Sequence, residues 1–186
     1  MILPIPEETE WELTLDKDDI IVYTRQLETS RFKELKAESK MPGSIQKFKQ
    51  ILTDIEKYPD WLPDCKTARI VERPSANNIT YHMKLKAPFP FTNRDIIQQI
   101  ILKETDEKLE VEIINRPNKV DEVKNYIRMP VAYGKWLIYQ ISENEIDIRF
   151  QYLADPGGNI PAWMVNTFMV KNPHLSIKNI RKLMAE

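Results

Sequence analysis

The sequence predicts an α+β protein, an antiparallel sheet of about nine strands with one long C-terminal helix laid back across a single face. Three observations carry this. Seven β-rich runs follow one another from residue 66 to residue 154, separated only by short turn-forming stretches. The runs alternate: Ile146, Ile148, Phe150 and Tyr152 share one side, and Asp147, Arg149 and Gln151 the other. Third, Asp155-Pro156-Gly157-Gly158-Asn159-Ile160-Pro161 joins the last run to more than twenty residues of helical spacing. The chain has 4 glycines in 186 residues, and two of them stand side by side in that junction. Average usage of roughly 7% would supply about a dozen.

Taken in order, Pro4 and Pro6 lead into a first helix expected over Glu8 to Lys17, with Trp11 and Leu15 at i, i+4 on its buried side. Ile20 to Gln26 and Arg31 to Met41 read as two strands. Pro42-Gly43-Ser44 breaks the pattern, and Ser44 is N-cap chemistry for the amphipathic helix carried by Ile45, Phe48, Ile51, Leu52 and Ile55. Tyr58-Pro59-Asp60-Trp61-Leu62-Pro63 closes it.

Strands are then expected at Lys66–Arg73, Asn78–Lys86, Arg94–Glu104, Lys108–Arg116, Asn125–Ala132, Lys135–Ser142 and Glu145–Ala154. The separators, Gly134 among them, are turn chemistry, and connections this short force antiparallel neighbours. Leu109, Val111 and Ile113 alternate with Glu110 and Glu112; Tyr81, Met83 and Leu85 alternate with His82, Lys84 and Lys86. One face should be wet and the other apolar, in need of a cover. In the junction Pro156 fixes φ, Gly157 and Gly158 supply φ > 0, and Pro161 suits the first helical turn. Asn159 or Ile160 would be the cap, Asn being the better capping chemistry. The final helix should kink or split at Asn172-Pro173.

Composition narrows the function. Formal net charge is −1 with 30% charged residues, and no basic stripe stands out, which argues against a nucleic-acid partner. Lys178-Asn179-Ile180-Arg181-Lys182 reads as the solvated face of the last helix rather than a phosphate or membrane patch. A single cysteine, Cys65, rules out an intramolecular disulfide and reads as a packing residue. No stretch approaches the eighteen or so apolar residues of a membrane span. The N-terminus has no signal-peptide pattern, so a cytoplasmic or membrane-peripheral protein is expected; an export signal lost upstream would leave the same start. One domain, residues 1–186 with a core from about residue 8, is the economical division.

No catalytic residue, metal or cofactor is expected. There is no Gly-x-Ser-x-Gly elbow. His82, on the charged side of its strand, reads as surface with the interior as the alternative, and His174 reads as surface. Asp16-Lys17-Asp18-Asp19 lacks calcium-loop spacing and reads as a solvated turn. Arg94 and Asp95 point to opposite faces, and one of them is expected to tie the preceding turn to neighbouring backbone.

Whether the covered face is solid or hollow stays open on composition. Met83, Met129, Met164, Met169 and Met184 fall in elements facing the interior and suit a surface that accepts variable apolar shapes. Tyr81, Tyr139 and Tyr152 place hydroxyls on or near the apolar face. Gln98, Gln99 and Asn166 fit a pocket with a few polar anchors. A solid core lined with methionine is the alternative.

At this point the residues resemble a known family. Nearly the whole chain, from Trp11 onward, is similar to the START domain, the lipid-transfer domain of the helix-grip superfamily. The similarity runs through Ile20-Ile-Val-Tyr-Thr-Arg25, Trp61, Ala68-Arg69-Ile70-Val71-Glu72-Arg73 and Tyr81. It continues with Pro88, Pro90, Arg94 and Asp95 in a Pro-x-Pro-x-x-x-Arg-Asp pattern, then Ile127-Arg128 and Trp136. It closes with Asp155-Pro-Gly-Gly-x-Ile-Pro-x-Trp-x-Val-Asn166. The resemblance implies a curved antiparallel sheet gripping the C-terminal helix, with a tunnel between them for one hydrophobic ligand. In some members a charged pair sits inside the tunnel; the corresponding places here hold His82 and Ile100, so an apolar tunnel with Gln98 as its polar contact is expected.

Strand parity and the resemblance together give the ligand-binding candidates Tyr81, Met83, Gln98, Ile100, Val111, Ile113, Met129, Tyr139, Phe150, Tyr152, Trp163, Asn166, Met169 and Val170. Gly157, Gly158 and Pro173 are candidate hinges. The expected partner is a lipid or other apolar small molecule, bound and transferred without covalent chemistry, with any membrane contact transient. Two rivals stand beside this: an aromatase/cyclase acting on a polyketide in the same tunnel, and a non-binding interaction module filled by its own side chains. A cavity below about 300 Å³ would favour the last.

Overall fold

The alternating runs assemble into one sheet. The structure is a computed structural model that describes residues 10–185. In chain order it holds β1 (Glu12–Lys17), β2 (Ile20–Gln26), β3 (Lys33–Pro42), α1 (Ile45–Thr53), a 3-10 turn (Ile55–Lys57) and α2 (Tyr58–Trp61). There follow β4 (Cys65–Ser75), β5 (Asn78–Leu85), β6 (Arg94–Glu104), β7 (Lys108–Asn115), β8 (Ile127–Arg128), β9 (Val131–Ser142), β10 (Glu145–Asp155) and α3 (Ala162–Met184). The sheet has 10 strands in the order β1-β2-β3-β10-β9-β7-β6-β5-β4, with β8 beside β6. Every pair is antiparallel except β6–β8, matched at Arg94↔Ile127 and Asp95↔Arg128. The last strand therefore sits in the middle, paired to β3 from Glu145↔Pro42 to Tyr152↔Leu35.

Several expectations are corrected. Within the predicted N-terminal helix, Glu12–Lys17 is strand β1 and Glu10 and Trp11 belong to no element, while Glu8 and Thr9 lie outside the described residues. The i, i+4 spacing of Trp11 and Leu15 fits a period of 2 as well as 3.6, and Leu13 between them completes the strand pattern. The strand expected at Asn125–Ala132 shrinks to the two residues of β8, and Val131 and Ala132 belong to β9. Gly134 is not a turn but an interior residue of β9, opposite Tyr152. A Cβ there would run into the Gln151 carbonyl and lie 2.8 Å from Tyr152 Cδ2, so only glycine lets that ring cross the strand.

Helix α1 starts as expected: the Lys47 N–H donates to Ser44 Oγ at 3.3 Å, and Phe48 meets Trp136 edge-on at 5.5 Å between ring centroids. Helix α3 runs unbroken through Pro173, so no split occurs, and its N-cap is Pro161 rather than Asn159 or Ile160. Gly157 and Gly158 both have φ of +67°, the conformation expected of them.

The turn between β1 and β2 clasps the second half of α3. Arg181 donates to the Asp18 carbonyl at 2.6 Å and to Ser39 Oγ at 2.7 Å, and Lys178 Nζ donates to Asp18 Oδ2 at 2.9 Å. That hydrogen bond from Lys178 holds the Asp18 carboxyl below its ordinary range. Asn179 adds a bond to the Trp61 carbonyl at 3.0 Å. The basic cluster and the Asp16–Asp19 turn are thus bound to each other rather than merely solvated. His174, expected at the surface, is buried beside them with Nε2 3.2 Å from Asp18 Oδ2.

The outer face is not wet everywhere. At β5 and β6 the segment following β7 covers it, burying Ile97 completely. Arg128 holds that segment through the Pro117, Val120 and Asp121 carbonyls. Beneath it Asp95 accepts from Arg128 Nη2 at 2.8 Å and lies 2.9 Å from His82 Nε2. His82 is therefore buried, not exposed. Burial dominates its titration and lowers its pKa, because Arg128 already meets the Asp95 charge.

Candidate functional site

Residues of odd and even parity sort onto two faces, and those turned toward α3 enclose a cavity. Its volume is about 260 Å³. On the sheet side Tyr81 and Met83 come from β5, Gln98 and Ile100 from β6, and Val111 and Ile113 from β7. Met129 follows β8, and Phe150 and Tyr152 come from β10. Helix α3 contributes Val165, Phe168, Met169, Asn172 and Pro173, residues that recur with helical spacing along one stripe. Tyr58, Trp61 and Leu62 from α2 and its exit close one end.

Ten of the fourteen ligand-binding positions expected from the sequence line this space, nine on the sheet side and Met169 from α3, and the hinge candidate Pro173 lines it too. Four do not. Tyr139 pairs with Asp147 on the outer face, where Arg149 lies 5.4 Å over its ring. The Trp136-Leu137-Ile138-Tyr139 run is apolar at both parities, so the sequence could not choose; Trp136 and Ile138 are the inward pair. Trp163 is 68% exposed on the far side of α3. Asn166 instead accepts the Lys33 N–H at 3.1 Å, fastening α3 to β3. Val170 lies with Trp163 and Asn166 on a groove between α3 and β1. Gln99 also faces outward, bonded to Asn78 at 2.7 Å and Arg116 at 2.8 Å.

The sequence reading missed Trp136, Phe168, Tyr58 and Trp61. Trp136 stacks on Phe150 at 4.1 Å, and Phe150 stacks on Tyr152 at 5.6 Å, a row of rings along the sheet wall. The Tyr58–Trp61 pair, 4.8 Å apart, was visible as an aromatic doublet in the Tyr-Pro-Asp-Trp turn.

Apart from Asp64, Lys86 and Arg94, the polar groups of the lining are few and uncharged. Tyr81 Oη donates to Gln98 Oε1 at 3.0 Å, and Gln98 Nε2 donates to Tyr152 Oη at 2.9 Å and to the Ala132 carbonyl at 3.4 Å. Tyr58 Oη donates to the Leu52 carbonyl at 2.7 Å. Burial pushes all three phenol pKa values up, so they stay neutral. Burial also raises the Cys65 thiol to about 11, which keeps it protonated beside this wall.

Arg94 is a buried residue of the lining and is committed to backbone. It donates to the Pro156 carbonyl at 3.2 Å, the Gly157 carbonyl at 3.0 Å and the Thr92 carbonyl. It thus locks the glycine pair and ties down its own turn, the structural role expected of Arg94 or Asp95. Asn172 donates to Asp64 Oδ2 at 3.1 Å across the rim. Among the described residues no cluster of three or more His, Cys, Asp or Glu side chains could hold a metal ion, and no helix is long and apolar enough to cross a membrane.

A sheet closed on one long helix, with an apolar chamber between, defines a helix-grip domain. Comparison with known proteins gives the family: the START domain model matches residues 6–184, and the chain belongs to that family. A STAR-related lipid transfer protein from Xanthomonas axonopodis superposes with a TM-score of 0.87 at 25% identity, covering 95% of this chain and 99% of the other. The phosphatidylcholine transfer protein of Mus musculus is 23% identical over 164 residues, 84% of this chain and 75% of its own length. The Zhui aromatase/cyclase from Streptomyces sp. R1128 shares the fold at a TM-score of 0.60 and 8% identity, over 82% of this chain and 93% of that one.

Proposed function

We propose that this protein binds a lipid or similar apolar molecule in the chamber between sheet and α3 and carries it between membranes without covalent chemistry. The observation that carries the reading is the chamber itself: rings and aliphatic side chains dominate its walls, and the Gln98 amide is hydrogen-bonded among them. Burying apolar surface contributes about 0.8 kcal/mol per CH₂, so such walls hold a hydrocarbon with little polar help. Similarity to proteins named for lipid transfer supports the same reading. The cyclase alternative would need ionisable groups inside, and neither His82 nor His174 lines the chamber.

At about 260 Å³ the chamber is larger than the roughly 150 Å³ cavity that admits benzene and smaller than the roughly 300–1,000 Å³ of typical ligand sites. The filled-module rival predicts such a value. A carrier reading requires the chamber to widen on loading, and the flexible lining of Met83, Met129 and Met169 supplies side chains able to repack. The ligand-facing residues would be the ten lining positions named above, with Gly157, Gly158 and Pro173 as the points about which α3 moves. Transfer of a fluorescent phosphatidylcholine or fatty acid between donor and acceptor vesicles tests this. Acceleration proportional to protein concentration is expected; no acceleration, with no apolar molecule retained in native mass spectrometry, would leave the filled-module reading.

A further inference from the structure

The hydrogen bonds inside the chamber have a direction. Gln98 is 2% exposed, and its amide could in principle be turned either way. The Ala132 carbonyl decides: it lies beyond the last β7–β9 pair, Ile113↔Gly134, and takes a Gln98 N–H at 3.4 Å. Flipping the amide would set oxygen against oxygen. With the amide fixed, its oxygen accepts from Tyr81, and its second N–H points to Tyr152 Oη. Tyr152 therefore receives a hydrogen bond, and its own O–H has no acceptor among the described residues. A hydroxyl that accepts becomes a better donor, so the chain sharpens the last proton.

A second group points the same way. Trp61 Nε1, also on the chamber wall, is buried with no hydrogen-bond partner among the described residues. An indole N–H can only donate, and leaving it buried and unmet is unfavourable. Tyr152 and Trp61, both lining the chamber, thus each carry a donor without an acceptor among the described residues. Of the chamber's lining cations, Lys86 is exposed to solvent and the buried Arg94 is committed to carbonyls. An ionised head drawn inside would meet no uncommitted counter-charge in the interior.

We infer that the chamber selects neutral ligands whose inward polar end is a hydrogen-bond acceptor, such as an ester or ketone carbonyl, received by Tyr152 Oη and Trp61 Nε1. This rests on the carrier reading and names its ligand class. Free carboxylates are excluded by desolvation, and plain hydrocarbons bind without satisfying the two donors.

Three probes of equal heavy-atom count separate the possibilities: methyl octanoate, undecane, and nonanoate at pH about 8, where the acid is fully ionised. Binding is measured by titration calorimetry on the full chain. The ester is expected to bind roughly two- to tenfold tighter than the hydrocarbon, the range of one net hydrogen bond, and nonanoate at least about tenfold more weakly than the ester. Tyr152→Phe keeps the ring over Gly134 and should remove a similar two- to tenfold from the ester alone; unchanged undecane affinity shows that the chamber is intact. Trp61→Phe provides a second, independent loss for the ester. An infrared carbonyl band of the bound ester that shifts to higher frequency in Tyr152→Phe would show the bond directly. Equal loss for ester and hydrocarbon, no loss for either variant, or a preference for nonanoate overturns the inference while the carrier reading survives. Failure of all three probes to bind overturns the carrier reading as well.

Discussion

Single residues inside this protein are placed by which face of the sheet they occupy, and His82 shows what that placement does to titration. It shares a buried pocket with Asp95 and Arg128. Burial holds the imidazole below its ordinary pKa, with Arg69 and Arg128 acting in the same direction and Asp95 opposing. The unfolded chain therefore takes up a proton near pH 6.5 before the folded chain does. Stability from keeping His82 neutral is complete above that pH and drains away as pH falls from it through the lower folded value. Melting curves of the wild type should drop as pH falls below about 6.5, and His82→Asn should show a shallower drop. A parallel pH profile for the variant would mean that His82 does not titrate in the fold. Of the residues around the chamber, Phe150 and Tyr152 were legible from alternation; Gln98 was legible only as a polar anchor suggested by the family resemblance, because Ile96-Ile97-Gln98-Gln99-Ile100-Ile101 reads alike at both parities. Tyr139 was not, because its strand is apolar on both faces, and His82 was misplaced because a distant loop covers it. Alternation reports which side a residue takes but not what later settles on that side.

Among the elements, the passage from β10 to α3 was the most legible, since two adjacent glycines in a glycine-poor chain mark a backbone that needs positive φ twice running. The first strand was the least, because two apolar residues four apart satisfy both regular periods. The junction makes a direct prediction. Beyond their positive φ, a Cβ on Gly157 would lie 3.2 Å from Pro130 Cδ and 3.3 Å from Ile127 Cγ2, and one on Gly158 3.2 Å from Ile127 Cδ1. Alanine at either should cost about 1–2 kcal/mol through the left-handed backbone alone. The double variant Gly157→Ala/Gly158→Ala should melt lower and lose uptake of a fluorescent lipid. A folded double variant with unchanged uptake would refute α3 movement about this point.

At the scale of the whole molecule, α3 is secured unevenly. Its second half buries His174, Ser176, Ile177 and Ile180 and carries the bonds from Lys178, Asn179 and Arg181. Its first half buries only Val165 and is tied through Asn166 to Lys33. The half that roofs the chamber is thus the looser one, lying between the glycine pair and Pro173. Hydrogen exchange should be faster in residues 163–171 than in residues 174–184, and an apolar ligand should slow the first set preferentially. Uniform protection along α3, unchanged by ligand, would place the entrance elsewhere.

The position of β10 has a further consequence. Strands β1 to β3 reach the rest of the sheet only through it, so the N-terminal hairpins and β4 to β9 remain two unjoined pieces until a strand that begins at Glu145 has emerged and come back to β3. Pairings so far apart along the chain close slowly, and both pieces present raw edges in the meantime. During synthesis this protein should be unusually dependent on protection of its nascent chain, because completion waits on the strand of the sheet that is made last.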